Sequence, residues 1–482
     1  MEPTTDDAKG RVRLAGAFDL YREAIREAQV AEMLHGRSAF SRQGPLSAWV
    51  VIWLMIFQRL HPKGSLSVGV RELLTGPVQA QVRWSEGDKH PCRAARKKPE
   101  GLSANTSAYS QARSKLPLDV GEKVSDQIFA WLWAQPQPKT LPGLDRPLFL
   151  LDGTSLLLAH TPELGKAFPP AQNQHGRSHW PVMRVVVAHE VTSGLATRPR
   201  WGPMYGPQAT SEQALAKILI RQLPKDCGFM ADRNFGIFAM AYQAQQENRP
   251  CLLRLTKTRA GKLNGGVPPC AKTDKRVRWT PTRDDLRNNP EIPADAWVEG
   301  RLLAFNLRHG RTREKLYLFT TFDLPAEQIS AMYDFRWNIE TDLRSLKREV
   351  RIHMLEAKSP AMVEKELVLS VAAYNLTRAA MNAAGRALNL DPRQFSFSQA
   401  QDTMNAYLPV FANARSEAER QQIVEQMLRV FTQSKLPRRR KRRSYPRAVW
   451  PRPCSFPKRK VNKKCKKSQA AGNRNVTKKG VA

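Results

Sequence analysis

The sequence predicts an α/β fold: a mixed sheet core, an all-α segment ahead of it and a disordered basic tail behind it. Three observations predict this. Residues 1–143 carry helical periodicity and no strand-like run. From Pro147 the texture changes to short apolar runs alternating with amphipathic helices, the pattern of an α/β sheet. From Lys435 to Ala482 there are 19 Lys and Arg and no Asp or Glu, with no apolar periodicity. Such a segment cannot bury enough surface to offset its ordering entropy.

The elements follow in order. Phe18 to His35 is helically periodic, and Leu46 to Leu60 reads as a strongly apolar, buried helix. Asp88 to Gly101 is a basic, Pro-containing loop with Arg93, Arg96, Lys97 and Lys98. Ser107 to Lys115 and Val120 to Trp133 are helices on either side of Pro117. Pro147 to Leu158 reads as strand, turn and strand; Val182 to His189 is a β-branched strand; Ala196 to Trp201 is a further strand. Ser211 to Leu223 is an amphipathic helix with Ser211 as N-cap and Glu212 in its first turn. Cys227 to Ala231 is a short strand that ends at Asp232, Phe235 to Glu247 is a helix, and Cys251 to Leu255 is a strand.

Lys257 to about Lys315 interrupts the alternation. It is basic, rich in Gly and Pro, holds Trp279 and Trp297, and reads as a β-rich insertion. Leu316 to Phe322 returns to the sheet. One long helix is expected from Pro325 to about Val350, a second from Met362 to Ala384, and helix again over Asp402 to Phe431. The resulting division is 1–143 helical, 144–256 core, 257–315 insertion, 316–385 core, 386–434 helical and 435–482 tail.

The charge narrows the partners. A net +35 is self-repelling unless a polyanion is near, and nucleic acid is the usual one. The tail holds more than half of that excess, including six consecutive basic residues from Arg438 to Arg443. The longest aliphatic-aromatic run, Ala48 to Phe57, is too short to cross a bilayer, so no membrane partner is expected. Met1 to Asp7 is acidic and polar, so no signal peptide is expected. The six cysteines (Cys92, Cys227, Cys251, Cys270, Cys454 and Cys465) form no C-x-x-C pair and read as free thiols of a reducing cytosol. His175 and His179 fall in a polar loop and read as such rather than as metal ligands.

Chemistry concentrates in three places. Two short strands end in an aspartate followed by turn residues, at Asp152 and Asp232. In open α/β sheets, ligands sit just beyond the carboxyl ends of strands, and paired carboxylates suit Mg²⁺. The long helix adds Glu340. At helical pitch Tyr333, Arg336, Glu340 and Lys347 fall within an arc of roughly 60°, joined by Arg344, while Phe335, Ile339, Leu343 and Leu346 form the opposite, core-facing stripe. Charges alone on a helix face are usually just solvated. A tyrosine among them and the adjacent Trp337 favour a nucleic-acid groove. No Ser-His or Cys-His pair stands out as a covalent nucleophile, which suits metal-assisted chemistry.

The spacing Tyr333-x2-Arg336-x3-Glu340-x6-Lys347 resembles the Y-R-E-K signature of insertion-sequence 4 family DDE transposases. The surrounding Y-D-F-R-W-N-I-E-T-D-L-R-S-L-K, the L-D-G-T-S at Asp152, the A-D-R-N-F-G at Asp232 and the W-L-M-I-F-Q-R-L-H from Trp53 to His61 are similar to that family too. The resemblance spans roughly residues 15 to 385. It implies a ribonuclease-H-like core with an insertion between the second Asp and the Glu. It also implies cut-and-paste transposition through end nicking, a hairpin, its opening, and transfer of the 3′-hydroxyl to target DNA. Asp152, Asp232 and Glu340 would hold two Mg²⁺ ions, with Mn²⁺ able to replace them. Tyr333, Arg336 and Lys347 would hold end phosphates, Trp337 a flipped base, and Trp297 or Trp279 a stacking position. The partners implied are inverted-repeat ends and target DNA, bridged by a homodimer in a bacterial, nucleoid-associated setting.

Arg113 and Lys115, on one helix beside the basic loop, are the expected N-terminal DNA contacts. His160-Thr161-Pro162 stands where the family often has Asp-Thr-Pro, a change expected to affect the loop more than the chemistry. Two other readings compete: a non-catalytic DNA-binding derivative, and a junction-resolving nuclease, against which the length, the insertion and the Tyr-Arg-Lys arc weigh.

Overall fold

A computed structural model describes residues 16–37, 45–76, 104–138, 141, 143–174, 176–309 and 312–436. The basic loop around Arg93, the basic tail from 437 onward, His175, Cys92, Cys454 and Cys465 lie outside the described residues.

The first part is helical: α1 (Ala17–Ala24), α2 (Glu27–Met33), α3 (Ala48–Leu60), α4 (Leu66–Thr75), α5 (Ser107–Lys115) and α6 (Leu118–Ala134). Every residue of α3 is buried, as its all-round apolar sequence requires. The periodic stretch Phe18 to His35 forms two helices, α1 and α2. Ile25 is extended (φ −136°, ψ 114°) and fully buried, and the Trp49 indole N–H donates to its carbonyl at 3.0 Å. A tertiary hydrogen bond thus takes the acceptor that a continuous helix would have used.

The sheet has eight strands: β1 (Leu148–Leu157), β2 (Val182–Glu190), β3 (Arg200–Pro203), β4 (Gly228–Ala231), β5 (Cys251–Arg254), β6 (Asp274–Trp279), β7 (Val298–His309) and β8 (Thr312–Thr320). Between them lie α7 (Pro162–Ala167), α8 (Glu212–Gln222), α9 (Phe238–Gln246), α10 (Lys257–Leu263) and α11 (Arg283–Asn288), with a two-residue ladder joining Gln172–Asn173 to Gly176–Arg177. The order is β3-β2-β1-β4-β5-β8-β7-β6. β1, β2 and β3 pair antiparallel, β4 and β5 run parallel to β1, and β8, β7 and β6 add antiparallel. The 257–315 segment is not a sheet of its own: β6 pairs with β7, β7 pairs with β8, and β8 joins β5 through Leu318 to Thr320, so the main sheet continues through it.

Both faces of the sheet are covered, which is why the central strands β4 and β5 read as uninterrupted apolar runs. One face packs on α8 and α9 through Leu215, Leu219, Phe238 and Met240. The other packs on the N-terminal helices and on α14 (Pro360–Leu388).

Ahead of α14 lie α12 (Ala326–Asp334), α13 (Trp337–Arg344), a π-helical segment (Ser345–Glu349) and a 3₁₀ turn (Ile352–Met354). The expected long helix over 325–350 is therefore broken. At the break the bonds run i to i+3, Phe335 N–H to Met332 and Arg336 N–H to Tyr333, a tightening that shifts the register of everything after it. Ile339, Leu343 and Leu346 are buried as expected, but Phe335 is 37% exposed because it sits on the break. A 3₁₀ turn (Pro392–Gln394), α15 (Phe397–Asn413) and α16 (Glu417–Gln433) complete the described chain. No helix among the described residues is long and apolar enough to cross a membrane.

Candidate active site

Asp152 and Asp232 lie side by side. β1 and β4 are parallel neighbours with Leu151 opposite Ala231, so the next residue on each chain is an aspartate at the same level. Adjacent strands are about 4.8 Å apart. The pair sits where the sheet order changes direction, with β2 and β3 on one side of β1 and β4 and β5 on the other. That is the position where α/β sheets bind ligands. Each carboxylate is held by a local main-chain donor: Gly153 N–H to Asp152 Oδ1 at 2.8 Å, and Asn234 N–H to Asp232 Oδ1 at 2.8 Å. Burial, with repulsion from Asp232 and Glu212, pushes the Asp152 carboxyl up to about 6, against the pull of the Gly153 N–H and Arg336.

Glu212 is a neighbour that the sequence reading placed only as a first-turn acid. Ser211 caps α8 as expected, accepting from Ala214 N–H at 3.1 Å. Glu212 itself lies across β1: a Cβ added to Gly153 would come within 2.6 Å of its Oε1. Its spacing carried no signal, because α8 and β1 meet only through the fold.

The Tyr-Arg-Glu-Lys group comes to the same edge by a different route from the uniform helix expected. Tyr333, at the end of α12, is buried, and its hydroxyl forms no well-aligned hydrogen bond. Burial pushes its phenol up, opposed by Arg336 and Arg254 and reinforced by Asp232. Arg336, on the break, pairs with Glu340 at 3.2 Å and lies over the Trp337 ring at 4.8 Å. Glu340 is half-exposed, and Trp337 is 40% exposed. Lys347, in the π-helical segment, reaches Thr154 with its Nζ 2.6 Å from the hydroxyl. Burial and Arg348 pull the Lys347 ammonium down while Asp152 pulls it up. Arg344 is exposed on the last turn of α13.

A divalent cation fits the chemistry of the aspartate pair: two hard carboxylates at one level, one of them disfavoured as an anion until a positive charge arrives. Glu340 faces Arg336, and among the described residues no three Asp, Glu, His or Cys side chains are close enough to hold a metal as they stand.

Several expected contacts lie elsewhere. Arg113 is buried and ion-paired with Glu366, which Arg59 also grips at 2.7 Å, so it is a structural cation and not a surface contact. Lys115, two residues on, is exposed. Trp279 is a core residue, edge-on to Phe319 at 4.8 Å. Trp297 is 39% exposed and carries Arg278 over its ring at 4.4 Å. It precedes β7, toward the amino end of the sheet, four strands from β1 and three from β4, so roughly 14–19 Å across the strands from the two aspartates. Thr161 caps α7 as a normal N-cap with Pro162 at its first position, while His160 stacks on His179 at 3.8 Å. Cys227 and Cys251 are buried free thiols and Cys270 is an exposed one.

Comparison with known proteins agrees with this arrangement. The family described as "Transposase DDE domain" matches residues 143–376, the stretch from just ahead of β1 into α14. The curated protein "Transposase InsG for insertion sequence element IS4" of Escherichia coli (strain K12) is 28% identical over 359 residues, 73% of this chain and 78% of that protein. A chain in the cryo-EM structure of the piggyBac transposase synaptic complex with hairpin DNA aligns at a TM-score of 0.40 and 10% identity, over 89% of this chain and 87% of that one, and no assignment rests on it. The matched span holds both aspartates and the whole Tyr-Arg-Glu-Lys group: the chain belongs to the insertion-sequence 4 family of DDE transposases.

Proposed function

We propose that this DNA transposase is catalytically competent and moves an insertion sequence by cut-and-paste, with Asp152, Asp232 and Glu340 holding two divalent ions, Mg²⁺ by preference and Mn²⁺ in its place. The observation that carries the proposal is the shared level of Asp152 and Asp232 on neighbouring parallel strands, beside the helix that bears Glu340. Glu340 now pairs with Arg336 and would have to leave it to join the aspartates. Bound cations of this kind acidify an attacking water or 3′-hydroxyl and neutralise charge on the leaving 3′-oxygen. The order of the first five strands, 3-2-1-4-5 with the fourth and fifth parallel to the first, supports reading the core as ribonuclease-H-like, with 257–315 as its insertion.

The remaining residues handle the DNA. Arg336 and Lys347 neutralise phosphates on either side of the scissile bond, and Arg344 extends the basic track along α13. The buried Tyr333 hydroxyl, beside Arg254, would donate to a phosphate oxygen once DNA docks. Trp337 offers a stacking face for an unpaired base, with Arg336 already over it. Trp297 and Arg278 would meet DNA farther from the cleavage point, as would Lys115 on the N-terminal helices. The reaction proposed is nicking at the inverted-repeat end, hairpin formation and opening, then joining to target DNA by a homodimer that bridges two ends. The setting is bacterial and nucleoid-associated.

The test uses a labelled duplex carrying the element's terminal repeat, with and without Mg²⁺, for the wild type and Glu340→Gln. Metal-dependent nicking followed by a hairpin, lost in the variant while binding persists, is the expected result. Binding without cleavage by the wild type in Mg²⁺ and in Mn²⁺ would instead identify a non-catalytic, regulatory derivative.

A further inference from the structure

We infer that Glu212 is a positioning residue of the catalytic centre, orienting Asp232 through the side chain of Asn234; this rests on the reading of Asp232 as a metal ligand.

An acidic residue in the first turn of a helix ordinarily serves the helix dipole. Glu212 does more than that. Its Oε2 accepts from the Asn234 side-chain amide. The next residue, Gln213, donates from Nε2 to the Asn234 carbonyl at 2.9 Å and to Asn234 Oδ1 at 3.1 Å. Asn234 in turn donates its main-chain N–H to Asp232 Oδ1 at 2.8 Å. The Asn234 amide is thus fixed at both ends, its NH₂ on a carboxylate and its oxygen on an amide donor, so its orientation is determined by chemistry.

Asn234 is exposed and has no packing of its own to hold it. What holds it is α8, itself anchored by the Ser211 cap and by the buried Leu215, Ala216, Leu219 and Ile220. The path from a packed helix to a ligand carboxylate therefore runs Glu212, Asn234, Asp232. Among the described residues the second oxygen of Asp232 has no hydrogen-bond partner, which leaves it to face a ligand. The absence of a side chain at residue 153 is part of the device, since a Cβ there would occupy the place where the Glu212 carboxylate crosses β1.

The experiment compares wild type, Glu212→Ala, Glu212→Gln, Asn234→Ala and the Glu212→Ala/Asn234→Ala double variant. It measures end cleavage in Mg²⁺, Mn²⁺ affinity by calorimetry, metal-free duplex binding and thermal unfolding. Glu212→Ala and Asn234→Ala should each lose about tenfold or more in cleavage and in Mn²⁺ affinity, as partners that orient metal ligands do. The double variant should be no worse than either single one, because both act through one path. Glu212→Gln keeps an acceptor oxygen in place and should stay within about threefold of wild type. Metal-free duplex binding and melting temperature should not change. Should Glu212→Ala fail to fold, Asn234→Ala, at an exposed position, carries the test. Wild-type cleavage and Mn²⁺ affinity in both single variants would overturn the inference. So would additive losses in the double variant, or a Glu212→Gln as impaired as Glu212→Ala, which would make charge rather than the hydrogen bond the cause. A wild type that cleaves no DNA overturns the catalytic reading instead, and the calorimetry then still decides the role of Glu212.

Discussion

Arg378 reaches Asp342 through the protein interior, its guanidinium 2.5 Å from the carboxylate, with Asp342 fully buried. Arg393 adds two further contacts at 2.9 Å. Asp342 lies two residues after Glu340, roughly 200° around α13, so the helix that offers Glu340 outward is gripped inward by two cations from α14 and the turn behind it. Asp342→Ala leaves two arginines buried without their anion. It should destabilise the protein by about 3–5 kcal/mol, read from urea unfolding. A loss below about 1 kcal/mol would mean that solvent reaches the arginines and the grip is unimportant.

The same cluster sets an acid limit on stability. His189 is fully buried against Tyr374, ring centres 5.3 Å apart, and burial holds its imidazole down to about 4. Its folded value lies below its unfolded one, about 6.5, so its contribution is complete above about pH 6.5 and is lost as pH falls from there to about 4. Asp342 behaves differently. Burial pushes its carboxyl up, but Arg393 and Arg378 together hold it below the ordinary range, so its contribution goes only at lower pH still. His189 alone should remove about 3 kcal/mol of unfolding free energy between pH 6.5 and 4, while protonation of Asp152 works the other way below about pH 6; the wild type should therefore fall by about 3 kcal/mol relative to His189→Phe over that interval, read from urea unfolding. Equal slopes in the two proteins would count against a neutral buried His189.

Arg113 separates a structural from a DNA-binding role. It joins Arg59 on Glu366, and Lys365 beside them donates to the Arg113 and Leu116 carbonyls, so this corner ties α5 to α14. Arg113→Ala should cost about 3–5 kcal/mol, measured by denaturant unfolding, because Glu366 loses half of its compensation in the interior. Lys115→Ala, at an exposed position, should change stability by less than about 0.5 kcal/mol. If the two variants proved equally stable, the corner would not be the joint described.

Asp152 lies where burial and neighbouring carboxylates oppose its charge. Its pKa is raised, so its ionised form weakens the fold progressively as pH rises through about 4 to 6 in the absence of metal. Asp152→Asn removes that burden and should raise the melting temperature at pH 8 in EDTA, a gain of about 1–3 kcal/mol, while abolishing cleavage. Mg²⁺ should stabilise the wild type under the same conditions and leave the variant unmoved. A destabilised Asp152→Asn in EDTA would show that the neighbouring charges do not oppose ionisation there.

How much of this was legible in the chain depends on the range of the interaction responsible. Asp232 could be placed at a strand end because a short apolar run followed by turn residues is a local signal. Asp152 could not: the turn expected after it is absent, since β1 runs unbroken from Leu148 to Leu157 and pairs with β2 throughout, and only the shared level of β1 and β4 makes the two aspartates neighbours. The Ser211 cap, the buried α3 and the basic, Trp-bearing segment after β5 were equally local. The break at Phe335–Arg336 was not. An unbroken helical period runs through it, and the side chain of Lys347, in the π segment, meets Thr154 of β1.

The sequence by itself determined the chemistry available: which carboxylates, cations and aromatics exist, on which elements, and that their partner is a polyanion. The tertiary structure alone decided which of them meet. Arg113 and Lys115 share one helix and one charge, yet the first is buried on Glu366 and the second is exposed, because α14 packs over only one side of α5. Glu212 joins the aspartates, and Trp297 does not, for the same reason. Pairing of strands and packing of helices are long-range events that fix a side chain's neighbours, whereas periodicity reports only the face on which it begins.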